Sequence, residues 1–140
     1  MAGVKRLLVD ADAFVALVRP DDSNYLRAKN FSNEINALGF ELVTSDPAFG
    51  EAVTVISQKQ GLEEAISFAE RVLQDPIEII EVDASLRRKA LDIFKKQTSK
   101  NSRFTDCVNM AIMKEKGLDT IFSFDVQYKR NRFKRFGIDK

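Results

Sequence analysis

Short apolar, β-branched runs alternate along the chain with segments whose apolar residues recur at helical spacing, the pattern of βαβ units around a parallel sheet. Arg6-Leu7-Leu8-Val9-Asp10 is the first predicted strand, and residues 40–44, 77–82 and 120–124 are the next three, each flanked by polar or turn residues. Ala28, Phe31, Ile35 and Leu38 form one apolar face ahead of Gly39, which predicts a helix with a glycine stop. Asp46-Pro47 predicts the next helix start, with Asp as the cap and Pro at the first position, and Gly61 closes that helix. Leu62, Ile66, Ala69 and Leu73 mark a second helix in the same crossover. Asp83 or Ser85 starts another, with Leu86, Ala90 and Phe94 on one side. After a polar loop over 98–103, Thr105 is the expected cap of a helix that turns Val108, Ala111 and Ile112 to the core and ends at Gly117. Right-handed crossovers put these helices on both faces of one sheet.

The 140 residues suit one domain, 1–140, and no repeat, low-complexity stretch or linker divides them. Lys+Arg 22 against Asp+Glu 21 leaves a net charge of +1, so attraction to nucleic acid must come from a local patch or a bound cation. The absence of histidine excludes Ser-His-Asp and Cys-His triads and histidine zinc sites. Cys107, the one cysteine, forms neither an internal disulfide nor a Cys-x-x-Cys site, which suits a reducing cytosol. The apolar run Leu7-Leu8-Val9 is too short for a signal-peptide core or a membrane span, so a cytoplasmic protein without membrane contact is expected.

What remains is carboxylate chemistry. Ligands of an open parallel sheet sit beyond the carboxyl ends of its strands, so acids just after strands carry the most information. Asp10 ends the first strand and Asp125 the fourth; Glu51 lies early in the helix after the second, and Asp106 begins the helix before the fourth. Two carboxylates about 5 Å apart repel by ~3 kcal/mol at an effective dielectric near 20, so four on one rim require protons or a divalent cation. With hard oxygen donors alone, the fitting ion is Mg²⁺ or Mn²⁺. The plainer reading makes these acids helix caps and surface charges; it is strong for Asp106 and Asp46, near helix starts, and weak for Asp10, which closes a buried strand.

Leu7-Leu8-Val9-Asp10-Ala11-Asp12-Ala13-Phe14-Val15-Ala16-Leu17, Val43-Thr44-Ser45 ahead of Glu51, Phe104-Thr105-Asp106 with Asn109-Met110-Ala111, and Ser123-Phe124-Asp125 together resemble the PIN-domain ribonucleases. The similarity runs in order along nearly the whole chain and is closest to the small single-domain members, including VapC-like toxins of VapBC-type toxin-antitoxin pairs. The resemblance implies a three-layer α/β/α sandwich with a central, mostly parallel sheet, and a metal-dependent endoribonuclease leaving 5′-phosphate and 3′-hydroxyl ends. Asp10, Glu51, Asp106 and Asp125 map onto its acidic quartet, as catalytic ligands of one or two Mg²⁺ or Mn²⁺ held directly or through water. Thr105, Asn109 and Ser123 match nearby polar positions that orient ligands or water. The chain departs from the family at Ala11, in place of a common Thr or Ser, and at Asp12, where a small hydroxyl or amide residue is usual. Asp12 either joins the metal's surroundings or pairs with a neighbouring base. The family also implies an RNA substrate, a homodimer and, for toxins, a cognate antitoxin occupying the acidic site.

Tyr128-Lys129-Arg130-Asn131-Arg132-Phe133-Lys134-Arg135-Phe136 sets five bases among three aromatics with no acid. Lys129, Arg130, Arg132, Lys134 and Arg135 are candidates to grip RNA phosphates, with Tyr128 or Phe133 stacking on a base. The alternative is a solvated terminal segment whose aromatics pack on the core. Lys95-Lys96, Lys100 and Arg103 read as an exposed helix end. Two other functions compete with the nuclease. A haloacid-dehalogenase-like phosphatase would use Asp10 as nucleophile and Asp12 as general acid, but Phe124-Asp125-Val126-Gln127 offers one acid where that family needs a pair. A non-catalytic RNA-binding module would be favoured by loss of one of the four acids, and none is lost.

Overall fold

The computed structural model describes residues 4–140. Its strands are β1 (Arg6–Val9), β2 (Glu41–Ser45), β3 (Glu78–Ile80), β4 (Thr120–Phe122) and β5 (Lys134–Arg135). They lie in the order β3-β2-β1-β4-β5, and every neighbouring pair is parallel. The helices are α1 (Ala11–Val18), α2 (Tyr25–Ala37), α3 (Asp46–Gln60), α4 (Leu62–Gln74), α5 (Ala84–Lys95), α6 (Phe104–Lys116) and α7 (Val126–Arg130).

Alternation along β1 divides the core. Leu7 and Val9 point into a cluster with α1 to α4, through Phe14, Ile35, Ile56 and Phe68. Leu8 points the other way, joining Val43 and Ile121 against Leu86, Val108, Met110 and Ile112 of α5 and α6. The residues are therefore arranged as the expected α/β/α sandwich, with β1 and β4 buried on both faces, and so apolar, beyond their first residues Arg6 and Thr120. In a parallel sheet all carboxyl ends share one rim, which brings Asp10, Ser45, Ser123 and Asp125 toward one another.

Several boundaries differ from the sequence expectation, and each difference has a local cause. β4 stops at Phe122 because Ser123 Oγ and the Phe124 amide turn to the Asp12 carboxylate, at 3.1 and 2.8 Å, and leave the ladder. Ser45 caps α3, its Oγ accepting from the Ala48 amide at 3.2 Å, so Asp46 and Pro47 are the first two helical residues. α6 starts at Phe104, one residue before the predicted cap Thr105, with the Arg103 amide donating to Asp106 Oδ2 at 3.3 Å. Asp83 is the cap of α5, accepting from Leu86 at 2.8 Å.

The terminal basic run is structured as α7 and the edge strand β5. Gly137 follows at φ +76°, and a Cβ there would run into the Phe31 ring, which packs edge-on to Phe136. Gly137→Ala should combine a left-handed backbone with an overpacked contact and cost about 2–4 kcal/mol. Chemical denaturation would measure it; an unchanged midpoint would mean that the tail is not held against α2.

Candidate active site

Asp10, at the end of β1, caps α1: its Oδ1 accepts from the Ala11 amide at 2.8 Å. The same oxygen accepts from Asn109 Nδ2 at 3.1 Å, while Oδ2 faces the hydroxyls of Ser123 at 3.2 Å and Tyr128 at 2.9 Å. Asn109 is fixed from β2, since Ser45 Oγ donates to its Oδ1 at 2.6 Å, and its amide also donates to the Tyr128 oxygen at 2.9 Å. Asp106, 3% exposed in the first turn of α6, lies 3.3 Å from the same phenol through Oδ1. Asp125 caps α7 by accepting from the Gln127 amide at 2.9 Å. Glu51, on the second turn of α3, pairs with Arg103 at 2.9 Å.

The four acids thus lie toward the same rim, Asp10 and Asp106 sharing the Tyr128 hydroxyl and Glu51 and Asp125 acting on them through their charge. Burial is the largest influence on three neighbouring carboxyls and favours their neutral forms. It pushes Asp106 up to about 7, with the charges of Asp10 and Asp125 acting in the same direction. Asp12 rises to about 8 through burial and the charge of Asp10. Asp10 is raised by burial and by Glu51, against the hydrogen bonds from Tyr128, Ala11 and Ser123. The Tyr128 phenol, held well above its ordinary range by burial and two carboxylates, stays protonated.

Proton counting shows what the cluster lacks. Ser123 has one hydroxyl proton and two acceptors, Asp10 and Asp12; Tyr128 has one for Asp10 and Asp106. Each hydroxyl serves one acid at a time. Among the described residues Asp12 Oδ1 is buried without a hydrogen-bond partner, a position that ordinarily costs ~1–3 kcal/mol. The donor set is all oxygen and electrically overloaded, which fits a hard divalent cation. Among the described residues no three acids form a ready-made metal cage, so the fit lies in donor chemistry and charge.

Several sequence expectations change here. Tyr128 is 0% exposed and its hydroxyl is committed to the acids, so it cannot stack on a base; Phe133 is also buried. Both pack in the α5–α6 core. Arg135 is paired with Asp139 at 2.8 Å and donates to the Phe124 carbonyl at 3.0 Å, which locks the tail rather than presenting a free cation. Lys134 aligns with Thr120 at the start of β4, so it and Arg132, in the turn leading into β5, lie toward the rim away from the acids. Lys129 and Arg130 remain exposed on α7. Among the described residues no base lies within ion-pair distance of Asp12, whose Oδ2 instead fastens Ser123 and Phe124. Its carboxyl faces that turn, unlike a general acid presented to a phosphate ester. Thr105 lies in the first turn of α6, beside Asp106. Lone Cys107 is buried, and burial pushes its thiol up to about 11, too high for a thiolate nucleophile at neutral pH.

Sequence reasoning missed Tyr128 as a member of the acid network. Its signal was position: in the first turn of a helix capped by Asp125, a side chain three residues on can fold back over the same strand end. The Glu51 and Arg103 pair had no such signal, because 52 residues separate them.

The PIN domain family model matches residues 7–134, and the chain belongs to that family. It is 23% identical over 127 residues to the 23S rRNA-specific endonuclease VapC20 of Mycobacterium tuberculosis, covering 91% of this chain and 95% of that protein. The crystal structure of M. tuberculosis VapC20, described as a Sarcin-Ricin loop cleaving toxin, superposes with a TM-score of 0.82 at 22% identity, covering 91% of this chain and 95% of the other. VapBC2 from Rickettsia felis, bound to a DNA fragment from its promoter, gives 0.64 at 15% identity over 92% and 96% of the two chains. PIN-domain nucleases generally use divalent metal ions. No helix among the described residues is long and apolar enough to cross a membrane.

Proposed function

We propose that this protein is a metal-dependent endoribonuclease, acting as the toxin of a toxin-antitoxin pair. The observation that carries the reading is the mutually repelling set of Asp10, Asp106, Asp125 and Glu51 toward the carboxyl rim, in which Asn109 and Tyr128 tie Asp10 to Asp106 and the charges of Glu51 and Asp125 bear on that pair. Family membership and the VapC20 relative support RNA as the substrate.

Asp10, Glu51, Asp106 and Asp125 would hold Mg²⁺ or Mn²⁺. Such an ion lowers the pKa of water and neutralises charge on a scissile phosphate. The chain's own contribution is to orient those ligands. Asn109 fixes Asp10 from one side while the Ala11 amide fixes it from the other. Ser123 and Tyr128 hold protons that each can give to either of two acids, so release of Asp10 leaves neither hydroxyl without an acceptor. Arg103 holds Glu51 in place at the site's open side.

The partners of this reading are RNA, a cognate antitoxin supported by the VapBC2 likeness, and a second copy of the chain. Exposed Leu62, Ile66 and Leu73 lie along one stripe of α4, as an interface between copies would require. The cytoplasm is the compartment in which such a toxin would act. Calorimetric titration with Mn²⁺ tests the metal assignment: the parent should bind, and Asp10→Asn and Asp106→Asn should lose binding while remaining folded. Equal binding by parent and variants would remove these acids from the site.

A further inference from the structure

We propose that Lys100, Arg103 and Arg130 form a phosphate-binding pocket for single-stranded RNA next to the acidic rim, with Phe104 as the stacking face for an adjoining base. The proposal rests on the ribonuclease reading and adds where the strand lies.

A cavity of about 510 Å³ opens between the loop before α6 and the start of α7, lined by Lys100, Arg103, Asp125, Gln127 and Arg130 among its polar groups. Two basic segments that are remote in sequence therefore share one concavity with an acid of the rim. Its walls are fastened together. Gln97 and Asn131 exchange side-chain hydrogen bonds at 2.9 and 3.0 Å, and Ser102 Oγ lies 3.3 Å from Gln127 Oε1. Cations on a braced frame lose less entropy on meeting an anion than cations on a free tail.

The charges face solvent. Lys100 and Arg130 are exposed and, among the described residues, no carboxylate lies within ion-pair distance of either. Arg103 contacts Glu51 on one side and lines the cavity on the other, linking pocket and acids. Phe104, the next residue, is 39% exposed and meets Phe94, 40% exposed, edge to face with centroids 5.8 Å apart. An exposed ring one residue along from a pocket cation, outside the cavity lining itself, fits the base next to a phosphate held there. A carboxylate-bearing peptide would use the cations and have no need of the ring.

The test measures binding of a fluorescein-labelled, mixed-sequence single-stranded RNA to the full chain, in chelator, across a salt series. Lys100→Gln with Arg130→Gln should weaken binding at every sequence and reduce the log-log salt slope by about 1. Phe104→Leu should weaken binding about fivefold with the slope unchanged, since stacking releases no counterions. Arg132→Gln with Lys134→Gln, toward the other rim, should leave affinity and slope as in the parent. Lys100→Glu with Arg130→Glu provides a second, stronger version should the Gln pair shift the slope too little to resolve.

An unchanged slope in both Lys100 and Arg130 pairs would overturn the pocket and assign it to an acidic protein partner. An equal loss in the Arg132 and Lys134 pair would also overturn it, returning the contact to the tail as a whole, and failure of the parent to bind RNA would do the same. Cleavage by the parent in Mn²⁺ is followed separately. A parent that binds RNA with the predicted slope and never cleaves it would sink the nuclease reading and leave the pocket standing.

Discussion

Asp106→Asn is expected to reduce RNA cleavage about a thousandfold, the effect of removing roughly 4 kcal/mol of metal-ligand stabilisation from the transition state. The fold should survive this change, because the site is already built for an amide. In the Asp106→Asn variant the side-chain carbonyl can accept from the Arg103 amide as Asp106 Oδ2 does. The new amide nitrogen can donate to the Tyr128 oxygen, which lies 3.3 Å from Asp106 Oδ1. One negative charge also leaves a cluster in which Asp10 and Asp125 both oppose it. The metal-free variant should therefore melt at or above the parent's temperature. Single-turnover cleavage and thermal melting, measured on the same preparation, separate the two effects. Cleavage at the parental rate would remove Asp106 from the reaction, and a large fall in melting temperature would make its role structural.

The metal-free protein is also expected to lose stability as pH rises from about 5 to about 8, the reverse of ordinary acid denaturation. Asp106 and Asp12 titrate at about 7 and about 8 in the folded state, above the ordinary carboxylate range, with Asp10 raised as well. A raised carboxyl binds its proton more tightly in the folded chain than in the unfolded one. Its contribution is fully present below the unfolded pKa and is lost as pH climbs through the folded value. Asp139, lowered to about 2 by Arg135, acts with the opposite sign, but its window lies in stronger acid. A saturating divalent cation should cancel the neutral-pH loss by binding the ionised carboxylates of the folded state. Melting curves in chelator and in Mn²⁺ across this range would show two diverging profiles. Coincident profiles would mean that the acids do not share a cation.

The positions of Asp10, Asp106 and Asp125 are legible in the sequence because each sits at a strand end or helix start, which hydrophobic periodicity locates without any tertiary information, whereas Glu51 lies a turn further into α3. Asp10 follows Leu7-Leu8-Val9, and once that run is a buried parallel strand its carboxylate must lie on the carboxyl rim. Helix boundaries are less legible. Ser45 and Asp46 are both good caps, and the choice falls to Ser45, whose hydroxyl also reaches Asn109 on α6, 64 residues away. The tail misleads for a similar reason. Composition makes Tyr128 an attractive stacking residue, but β5 adds to the sheet edge and draws α7 against α6, so the ring is buried and its hydroxyl meets two acids. Periodicity has too little to act on in five helical residues and a two-residue strand. Lys100 and Arg103 read as a solvated helix end in one dimension, and the fold sets Arg130 beside them.

The most direct test of the central claim is a gel assay of the purified chain on cellular RNA in Mn²⁺, Mg²⁺ or chelator, followed by analysis of the product ends. The account predicts discrete cleavage in the presence of a divalent ion, with 5′-phosphate and 3′-hydroxyl products, and none in chelator. Cleavage that persists undiminished in chelator, or intact RNA with every ion and at every protein concentration, would contradict it.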